Sequence, residues 1–516
     1  MSMCWNVHLV RRSGCILAIL VLFLAGAGRA HAQGADCTGV SPSTTGSVTW
    51  TPQWCEEFNA TTAGSPDTTV WSFDLGNGGF GNNEVETYCG PPGYAGNPSN
   101  CPTTFSASTS NAYVDGSGHL VIQAINTPNT ANSIPPSLNP RMRIWMPIAM
   151  VGFLVSILVG PVARRRSRNL LCVCALVAGL TLMGAATWSC GGSSGGTPIV
   201  PPPNNGSTWF SARMKTQGLQ NFQYGRIEAN IQLPDTTNQG LWPAFWSLGS
   251  DINTTPWPAC GETDFMEVWS TQVNGGPGPA GNRTTIHTSA TDGAGVQPNG
   301  SFTFPSGQAN DTSFHTYGMI WSANMQQFYI DNPLQPYYIA TPSNLSSGDT
   351  WPFNAQIFLL ANVAVGGTLG GTPNSSTTNP AKMMLDYVRQ YQPAAAVPPP
   401  ALGTPTPSSI SVTAGATTGN TSALTPSLSA GTGYDYFSCG TNAPNAGCTI
   451  TTTDPLNKYV VNSSASPAER VTVAVTTTGT TPGSYTVTVY AFTESNVSNG
   501  ANSNADAHVD IPLTVN

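Results

Sequence analysis

Charged side chains are scarce in this sequence. Lys and Arg together number 17, and Asp and Glu number 25, in 516 residues. That is 8% of the chain, against roughly 25% in an ordinary soluble domain. Because the apolar share is ordinary at 40%, the polar surface must consist largely of uncharged side chains. This composition indicates a β-rich protein that functions outside the cytoplasm.

Basic residues are scarcer still outside two segments. Nine arginines fall within 1–32 and 141–168, which contain no Asp or Glu. The rest of the chain carries 8 basic and 25 acidic groups, a net charge of −17. An acidic surface of this kind argues against nucleic acid or anionic lipid as a partner. A neutral polymer such as a glycan fits better.

The sequence also lacks convincing long amphipathic helices over 48–124 and 209–392. Short aromatic and β-branched runs, such as AYVDGSGHLVIQAI and FQYGRIEANIQLP, alternate there with Gly, Asn and Pro clusters. This pattern is typical of antiparallel strands. We predict one all-β sandwich of roughly 280 residues, discontinuous over 37–132 and 208–392.

Two parts of the chain contain long apolar runs. Residues 1–32 end in Ala-His-Ala after the run CILAILVLFLAGAG, which predicts a secretory signal peptide; an uncleaved anchor is the alternative. Residues 133–207 contain uncharged runs at 144–163 and 170–190 around RRRSR, followed by a Gly/Pro tether. They predict a transmembrane helical hairpin, with a degenerate or fused anchor cassette and a buried helical pair as alternatives. We therefore expect export, followed by secretion or membrane association through 144–190.

A second module follows a Pro-rich linker at 393–406. Residues 407–516 contain Ser/Thr-rich runs such as SISVTA and GSYTVTVYAF, which predict a β-sandwich resembling bacterial immunoglobulin-like domains. Binding and spacer roles both remain open for it. In an oxidising exterior, short loops favour three disulfides, although sequence does not fix connectivity: Cys37–Cys55, Cys89–Cys101 and Cys439–Cys448.

The most informative segment is CGETDFMEVW at 260–269, which follows GLWPAFWSLG. Three acids, Glu262, Asp264 and Glu267, lie within six residues of an otherwise apolar strand. On a regular strand Glu267 would face away from the other two. A β-bulge between Asp264 and Glu267 would bring all three to one face. Two such carboxyl groups can perform retaining glycoside hydrolysis, while a metal site and a lectin-like site are the alternatives.

This segment resembles the laminarinase-like branch of glycoside hydrolase family 16, with its bulged Glu-x-Asp-x-x-Glu signature. The segments GGFGNNEVETY, SNAYVDGSGHLVIQA, YGRIEANIQLP, FHTYGMIW, FLLANVAVGG and LDYVRQYQ resemble the family in the same order. The resemblance implies a concanavalin-like jelly roll with a cleft on its concave face. It also implies Glu262 as nucleophile, Glu267 as acid/base, and Asp264 as the residue that orients the nucleophile. Thr263 departs from the usual aliphatic residue, and we expect it to point away from the cleft.

Further candidates surround the acids. Trp242, Trp246 and Trp269 are placed to stack on sugar rings, with core packing as the alternative. His287 is expected on the adjoining strand near Glu267, with a satisfied surface histidine as the alternative. Asn82 is expected to contact hydroxyl groups or to form a turn. The resemblance further implies a structural calcium ion involving Glu57 and Asp386. Catalysis itself implies no cofactor.

The sequence thus predicts an exported monomer that cleaves β-1,3 or mixed β-1,3/1,4-glucan. Three alternatives remain. One is a membrane-tethered protein that binds glycans without cleaving them. Another is a galactan hydrolase or a transglycosylase of the same family. The third is an inactive product of gene fusion, in which the hairpin disrupts the β-sandwich.

Overall fold

The structure is a computed structural model. It describes residues 37–128, 207–289, 297–395, 398–426, 433–462 and 465–516, apart from residues 47, 497 and 499. The predicted signal peptide at 1–32 lies outside these residues, as does nearly all of the segment at 133–207.

The N-terminal unit consists almost entirely of strands. In chain order they are β1 (Ser43–Thr45), β2 (Val48–Glu56), β3 (Ser72–Asp74), β4 (Thr87–Tyr88), β5 (Ala112–Val114), β6 (Leu120–Pro128), β7 (Ser207–Ser211), β8 (Arg213–Lys215), β9 (Gly225–Gln232), β10 (Leu241–Gly249), β11 (Glu262–Glu267), β12 (Gly281–His287), β13 (Asn299–Thr303), β14 (His315–Ser322), β15 (Met325–Ile330), β16 (Tyr338–Ala340), β17 (Ile357–Val365) and β18 (Ala381–Pro393). Helical turns occur at Gly79–Gly81, Pro342–Asn344 and Gly367–Gly370.

These strands form two sheets. Sheet I has seven strands in the order β13-β12-β11-β10-β17-β8-β3. Sheet II has eleven, with the path β16-β15-β14-β9-β18-β6-β7-β4 and with β1, β2 and β5 beside it. The pairings within the main body of each sheet are antiparallel. The predicted all-β, two-sheet sandwich of the jelly-roll type is confirmed.

The core lies between the two sheets and follows the alternation of the strands. In β9, Ile227, Ala229 and Ile231 are fully buried at every second position. In β10, Phe245 is buried in the same core, with its ring centroid 5.2 Å from that of Phe265 in β11. The alternate side chains of β10 and β11 therefore point away from this core, to the outer face of sheet I.

The C-terminal module is a second two-sheet sandwich with its own valine-rich core. Its strands are β19 (Ile410–Val412), β20 (Thr421–Leu424), β21 (Tyr434–Thr441), β22 (Gly447–Thr452), β23 (Val460–Asn462), β24 (Val471–Thr476), β25 (Gly483–Phe492) and β26 (Ala507–Val515), with a helical turn at Asn502–Asn504. The sheets have the orders β19-β26-β25-β21-β23 and β20-β24-β22. The immunoglobulin-like assignment stays a prediction.

All three predicted disulfides are present. Cys37 bonds to Cys55, Cys89 to Cys101, and Cys439 to Cys448. Each bond closes a loop of 18 residues or fewer. Pairing each cysteine with a near neighbour in sequence therefore predicted the observed disulfides.

The predicted transmembrane hairpin is not supported, and this part of the fold-class prediction is corrected. Within the described ranges, no helix is long and apolar enough to span a membrane. The predicted spans at 144–163 and 170–190 themselves fall in the gap between 128 and 207. The prediction rested on the length of the two apolar runs and on the arginine cluster between them, and neither feature by itself specifies a helix.

The two ends of that gap are held side by side. Strands β6 and β7 pair antiparallel from Ile125↔Phe210 to Pro128↔Ser207. On its other side β6 pairs with β18, and β7 pairs with β4. The strands on both sides of the gap are thus integrated in sheet II, and their register matches that of an ordinary β-hairpin.

This register predicts that residues 129–206 are dispensable for the fold. Replacing them with Asn-Gly, which favours the turn of a two-residue hairpin, should preserve the sandwich because β6 and β7 keep all their partners. Far-UV circular dichroism and thermal melting should match the full chain. A variant with a six-residue Gly/Ser connection controls for turn strain, and loss of cooperative unfolding in both would contradict the prediction.

Candidate active site

A bulge in β11 brings the three acids together. Against β12, Asp264 pairs with Thr285 and Glu267 with Arg283, so that one residue of β11 is surplus. Against β10, the register likewise shifts between Phe245 and Trp246. The predicted bulge is confirmed. As a result, Glu262, Asp264 and Glu267 line one cleft.

The residues within the bulge face the other way. Phe265 and Met266 are 2% and 0% exposed and belong to the core between the sheets. Thr263 is also buried there, with its hydroxyl 3.2 Å from Nε2 of Gln326 in sheet II. Thr263 therefore points away from the cleft, as expected.

The cleft has a volume of about 760 Å³ and lies on the outer face of sheet I. Its walls combine carboxylates with aromatic side chains, among them Phe80, Trp242, Trp246 and Trp257. Flat apolar surfaces beside polar groups suit sugar rings, which carry apolar C–H faces and hydroxyl edges.

The carboxylate of Glu262 lies next to the ring nitrogens of Trp257 and His287. Nε1 of Trp257 donates a 2.6 Å hydrogen bond to Oε2, and Nε2 of His287 lies 3.7 Å from Oε1. The pKa of Glu262 is raised overall, because burial raises it more than the nearby His287 lowers it. The charge of Glu267 also raises this pKa, and the hydrogen bond from Trp257 lowers it. These two contacts stabilise the ionised form, which a nucleophile requires.

His287 lies beside Asp264 and Glu262. Its Nε2 is 3.1 Å from Oδ2 of Asp264, a residue that is 2% exposed. This differs from the expected place near Glu267, because the strand register sets His287 opposite Glu262. The histidine therefore links the carboxylates at the Glu262 end of the site.

Glu267 has a different environment. Nε1 of Trp242 donates to its Oε1 at 3.1 Å, and the Thr285 hydroxyl lies 3.5 Å from Oε2. Burial and then the charge of Asp264 raise the pKa of Glu267 to about 8. A carboxyl group of this kind is protonated at neutral pH, which is the state that a general acid requires.

The predicted tryptophans all line the cleft but differ in exposure. Trp242 and Trp246 are partly exposed, and Trp246 donates from Nε1 to Oδ1 of Asn362 at 2.8 Å. Trp269 is only 1% exposed and packs 5.6 Å from the Arg283 guanidinium. Trp242 and Trp246 thus expose ring surface to the cleft, whereas Trp269 is buried in the wall of the cleft.

Asn82 also lines the cleft, where Nδ2 lies 3.3 Å from Oε1 of Glu84. Glu84 accepts a second hydrogen bond from the Tyr88 hydroxyl at 2.7 Å. The amide of Asn82 is thereby oriented by a buried carboxylate. Sequence reasoning missed Glu84, although it stands in the segment GGFGNNEVETY.

Other cleft residues were also missed. Arg213 stacks 4.6 Å from the Trp246 ring centroid and forms a 3.0 Å ion pair with Asp74. Asn362 and Trp257 contact predicted residues through single hydrogen bonds. Arg213, Asp74 and Trp257 lie outside every segment that was singled out from the sequence. Asn362 lies in FLLANVAVGG, and that context was the only available signal for it.

The residues expected to hold calcium do not fit that role. Both oxygens of Glu57 accept hydrogen bonds from Arg389, at 2.7 and 2.6 Å. A guanidinium thus occupies the carboxylate that the ion would need. The structure describes no cluster that joins Glu57 and Asp386.

One group in the described part of the chain has the spacing of a metal site. Glu262, Asp264 and His287 offer atoms within 4.8 Å of one another. The metal alternative raised from sequence required Glu267 instead of the histidine. In this group Trp257 and His287 already contact the two carboxylates, so the contacts favour proton chemistry.

Part of this region is similar in sequence to known proteins. Residues 204–389 match the sequence model of Glycosyl hydrolases family 16. "Glucan endo-1,3-beta-glucosidase A1" of Niallia circulans is 33% identical over 37% of this chain and 27% of its own length. "Beta-glucanase" of Rhodothermus marinus is 33% identical over 37% of this chain and 65% of its own length. The match therefore spans about a quarter to two thirds of these curated relatives.

A solved endo-beta-1,3-glucanase from Pyrococcus furiosus is also similar. It shares 25% sequence identity, and the alignment covers 69% of this chain and 99% of that chain at a TM-score of 0.45.

The two tryptophan donors provide a test of the site's electrostatics. Trp257→Phe should raise the pKa of Glu262, and Trp242→Phe should raise that of Glu267, because each change removes a donor to a carboxylate. Titration of ¹³C-labelled glutamate by NMR measures both. Trp246→Phe is the matched control, since that indole donates to Asn362. Equal shifts in all three variants would contradict the assignment.

Proposed function

Since residues 204–389 match glycosyl hydrolases family 16, we propose that this chain is a retaining, endo-acting glycosidase of β-1,3 or mixed β-1,3/1,4-glucan. The observation that carries the proposal is the bulge of β11, which sets three acids on one wall of the cleft. Export to the cell exterior is part of the proposal, and it rests on the sequence of 1–32.

The proposed reaction has two steps. In the first, Glu267 donates its proton to the glycosidic oxygen while the Glu262 carboxylate bonds to the anomeric carbon, and the bond from that carbon to the leaving oxygen breaks. In the second, Glu267 takes a proton from water, whose oxygen attacks the same carbon and releases Glu262. Two inversions at one carbon retain the anomeric configuration.

Two features support this division of roles. The raised pKa of Glu267 keeps a proton available for the leaving group, while the contacts from Trp257 and His287 favour ionised Glu262. Asp264 and His287 act as positioning residues, because they contact each other and flank the proposed nucleophile. The like charge of Asp264 also helps Glu267 to hold its proton.

The charges of the cleft support a neutral polysaccharide. Lys215 and Arg213 both pair with Asp74, at 2.5 and 3.0 Å. Arg213 is additionally covered by Trp246. Two of the three Lys and Arg side chains that line the cleft are thus committed to internal contacts, which disfavours an anionic glycan.

Replacing the proposed nucleophile tests the mechanism. Glu262→Gln should lower turnover of laminarin by about a thousandfold or more, because the covalent step is lost, while oligosaccharide affinity changes little. Reducing-end release and calorimetric binding measure the two effects. Asp235→Asn, an exposed acid outside the cleft, serves as control. Near-normal turnover in Glu262→Gln would refute the assignment.

Azide rescue of alanine variants separates the two carboxylates. With an activated aryl glycoside, Glu262→Ala should yield the α-glycosyl azide, since azide attacks from the vacated face. Glu267→Ala should yield the β-glycosyl azide, since azide then attacks the glycosyl enzyme. Exchange of the two products would reverse the roles of Glu262 and Glu267.

A substrate panel tests the glycan class. Laminarin and lichenan should be cleaved internally to β-configured products, and agarose and carrageenan should not be cleaved. Product size and NMR of the new reducing ends measure both properties. Cleavage of the galactans alone would favour the galactan hydrolase alternative, and products longer than the substrate would indicate a transglycosylase.

A further inference from the structure

One basic side chain of the cleft has no acidic partner among the described residues. Arg283 lies on β12 and lines the cleft. Lys215 and Arg213, the other two basic side chains there, both pair with Asp74. The guanidinium of Arg283 is partly exposed, and it forms no hydrogen bond or ion pair with any residue that the structure describes. Its N–H donors are therefore available to a molecule in the cleft.

The strand register places Arg283 beside the proposed acid/base. Arg283 pairs with Glu267 of β11 on one side and with Ser301 of β13 on the other. Residues directly opposite each other on antiparallel strands present their side chains on the same face of the sheet. Burial and then Asp264 raise the pKa of Glu267, and the charge of Arg283 is among the effects that lower it. The guanidinium therefore lies within electrostatic range of the Glu267 carboxyl group.

The indole of Trp269 supports this guanidinium. The guanidinium carbon lies 5.6 Å from the ring centroid, which is a cation–π contact. Trp269 is only 1% exposed, and a Cβ added to Gly276 would lie 2.9 Å from its Cδ1, so the ring is closely packed. A planar guanidinium held against a fixed ring loses little conformational entropy when it binds a ligand.

The cleft differs on the two sides of β11. Strands β10, β17 and β8 lie on one side and contribute Trp246, Asn362 and Arg213, which contact one another or Asp74. Strands β12 and β13 lie on the other side, where Arg283 faces Glu267. In the proposed reaction Glu267 protonates the oxygen of the departing sugar. The side of the cleft that carries Arg283 therefore fits the leaving group.

We propose that Arg283 binds the leaving-group sugar of the glucan, an assignment that rests on the proposed function. The guanidinium donates a forked pair of hydrogen bonds to neighbouring hydroxyl groups of that sugar, and Trp269 holds the fork in place. A sugar bound there presents its glycosidic oxygen to Glu267. Arg283 thus determines how strongly cleavage depends on a sugar, as opposed to another leaving group, at this position.

Two substrates with the same retained disaccharide test this role. Central cleavage of laminaritetraose releases a disaccharide leaving group, whereas para-nitrophenyl β-laminaribioside places no sugar beside Arg283. Arg283→Met should lower kcat/KM for laminaritetraose about tenfold or more, because hydrogen bonds from a charged donor are lost. The value for the aryl glycoside should change little. Arg283→Lys keeps the charge but not the fork, so its selective loss should be smaller.

The pH dependence of the same variants supplies a second measurement. Removal of the positive charge should raise the pKa of Glu267, so the basic limb of kcat/KM for laminaritetraose should move to higher pH in Arg283→Met. It should stay in place in Arg283→Lys. Lys382→Met, which changes an exposed basic residue of β18 outside the cleft, should match wild type in both measurements. Thermal melting verifies that each variant is folded.

Equal losses with both substrates in Arg283→Met would overturn the proposal, as would an unchanged kcat/KM for laminaritetraose. A basic limb that does not move in Arg283→Met would also overturn it, since the guanidinium would then not lie beside Glu267. If Arg283→Met fails to fold, Arg283→Lys supplies the comparison of substrates. Wild type that hydrolyses neither substrate would instead refute the proposed function, so the two failures are distinguishable.

Discussion

One surplus residue in β11 determines the chemistry that this protein can perform. Without it, strand alternation would turn Glu267 into the core, where Phe265 and Met266 now pack. The surplus lies in the middle of sheet I, between β10 and β12, and both neighbours adjust their register to it. A central position fixes the bulge on both sides, so the three carboxylates hold their mutual geometry.

Three acids lie close together in a buried cleft wall, which raises the free energy of their ionised forms. The neighbouring side chains offset this rise to different extents at Glu262 and Glu267. Donors from Trp257 and His287 gather at the Glu262 end, while Glu267 has the indole of Trp242 and the adverse charge of Asp264. Two identical functional groups thereby lie in different electrostatic environments. The aromatic side chains serve this electrostatic purpose as well as shaping the cleft.

A similar contrast separates two acidic positions outside the cleft. Glu57 was expected to bind calcium, but Arg389 pairs with both of its oxygens. Asp435 attracted no attention in the sequence, yet its carboxylate is buried with no hydrogen-bond partner among the described residues. Arg389 is 332 residues from Glu57 in the chain, and Asp435 lies on a strand whose sequence neighbours do not explain its burial. Sequence distance gave no indication of either arrangement.

The sequence by itself favoured the three short-loop disulfides without fixing their connectivity, and it left both the cleft and the core open for Trp242 and Trp246. It determined two local features, strand alternation and the need for a bulge at 264–267. Each follows from neighbours a few residues apart. Tertiary structure alone decided the partners of His287, the burial of Trp269 and the roles of Trp257, Arg213 and Asn362. It also decided that strands β6 and β7 pair across the gap. The physical reason is common to these cases: hydrogen bonds and ion pairs between strands depend on register and sheet order, and no local pattern encodes them.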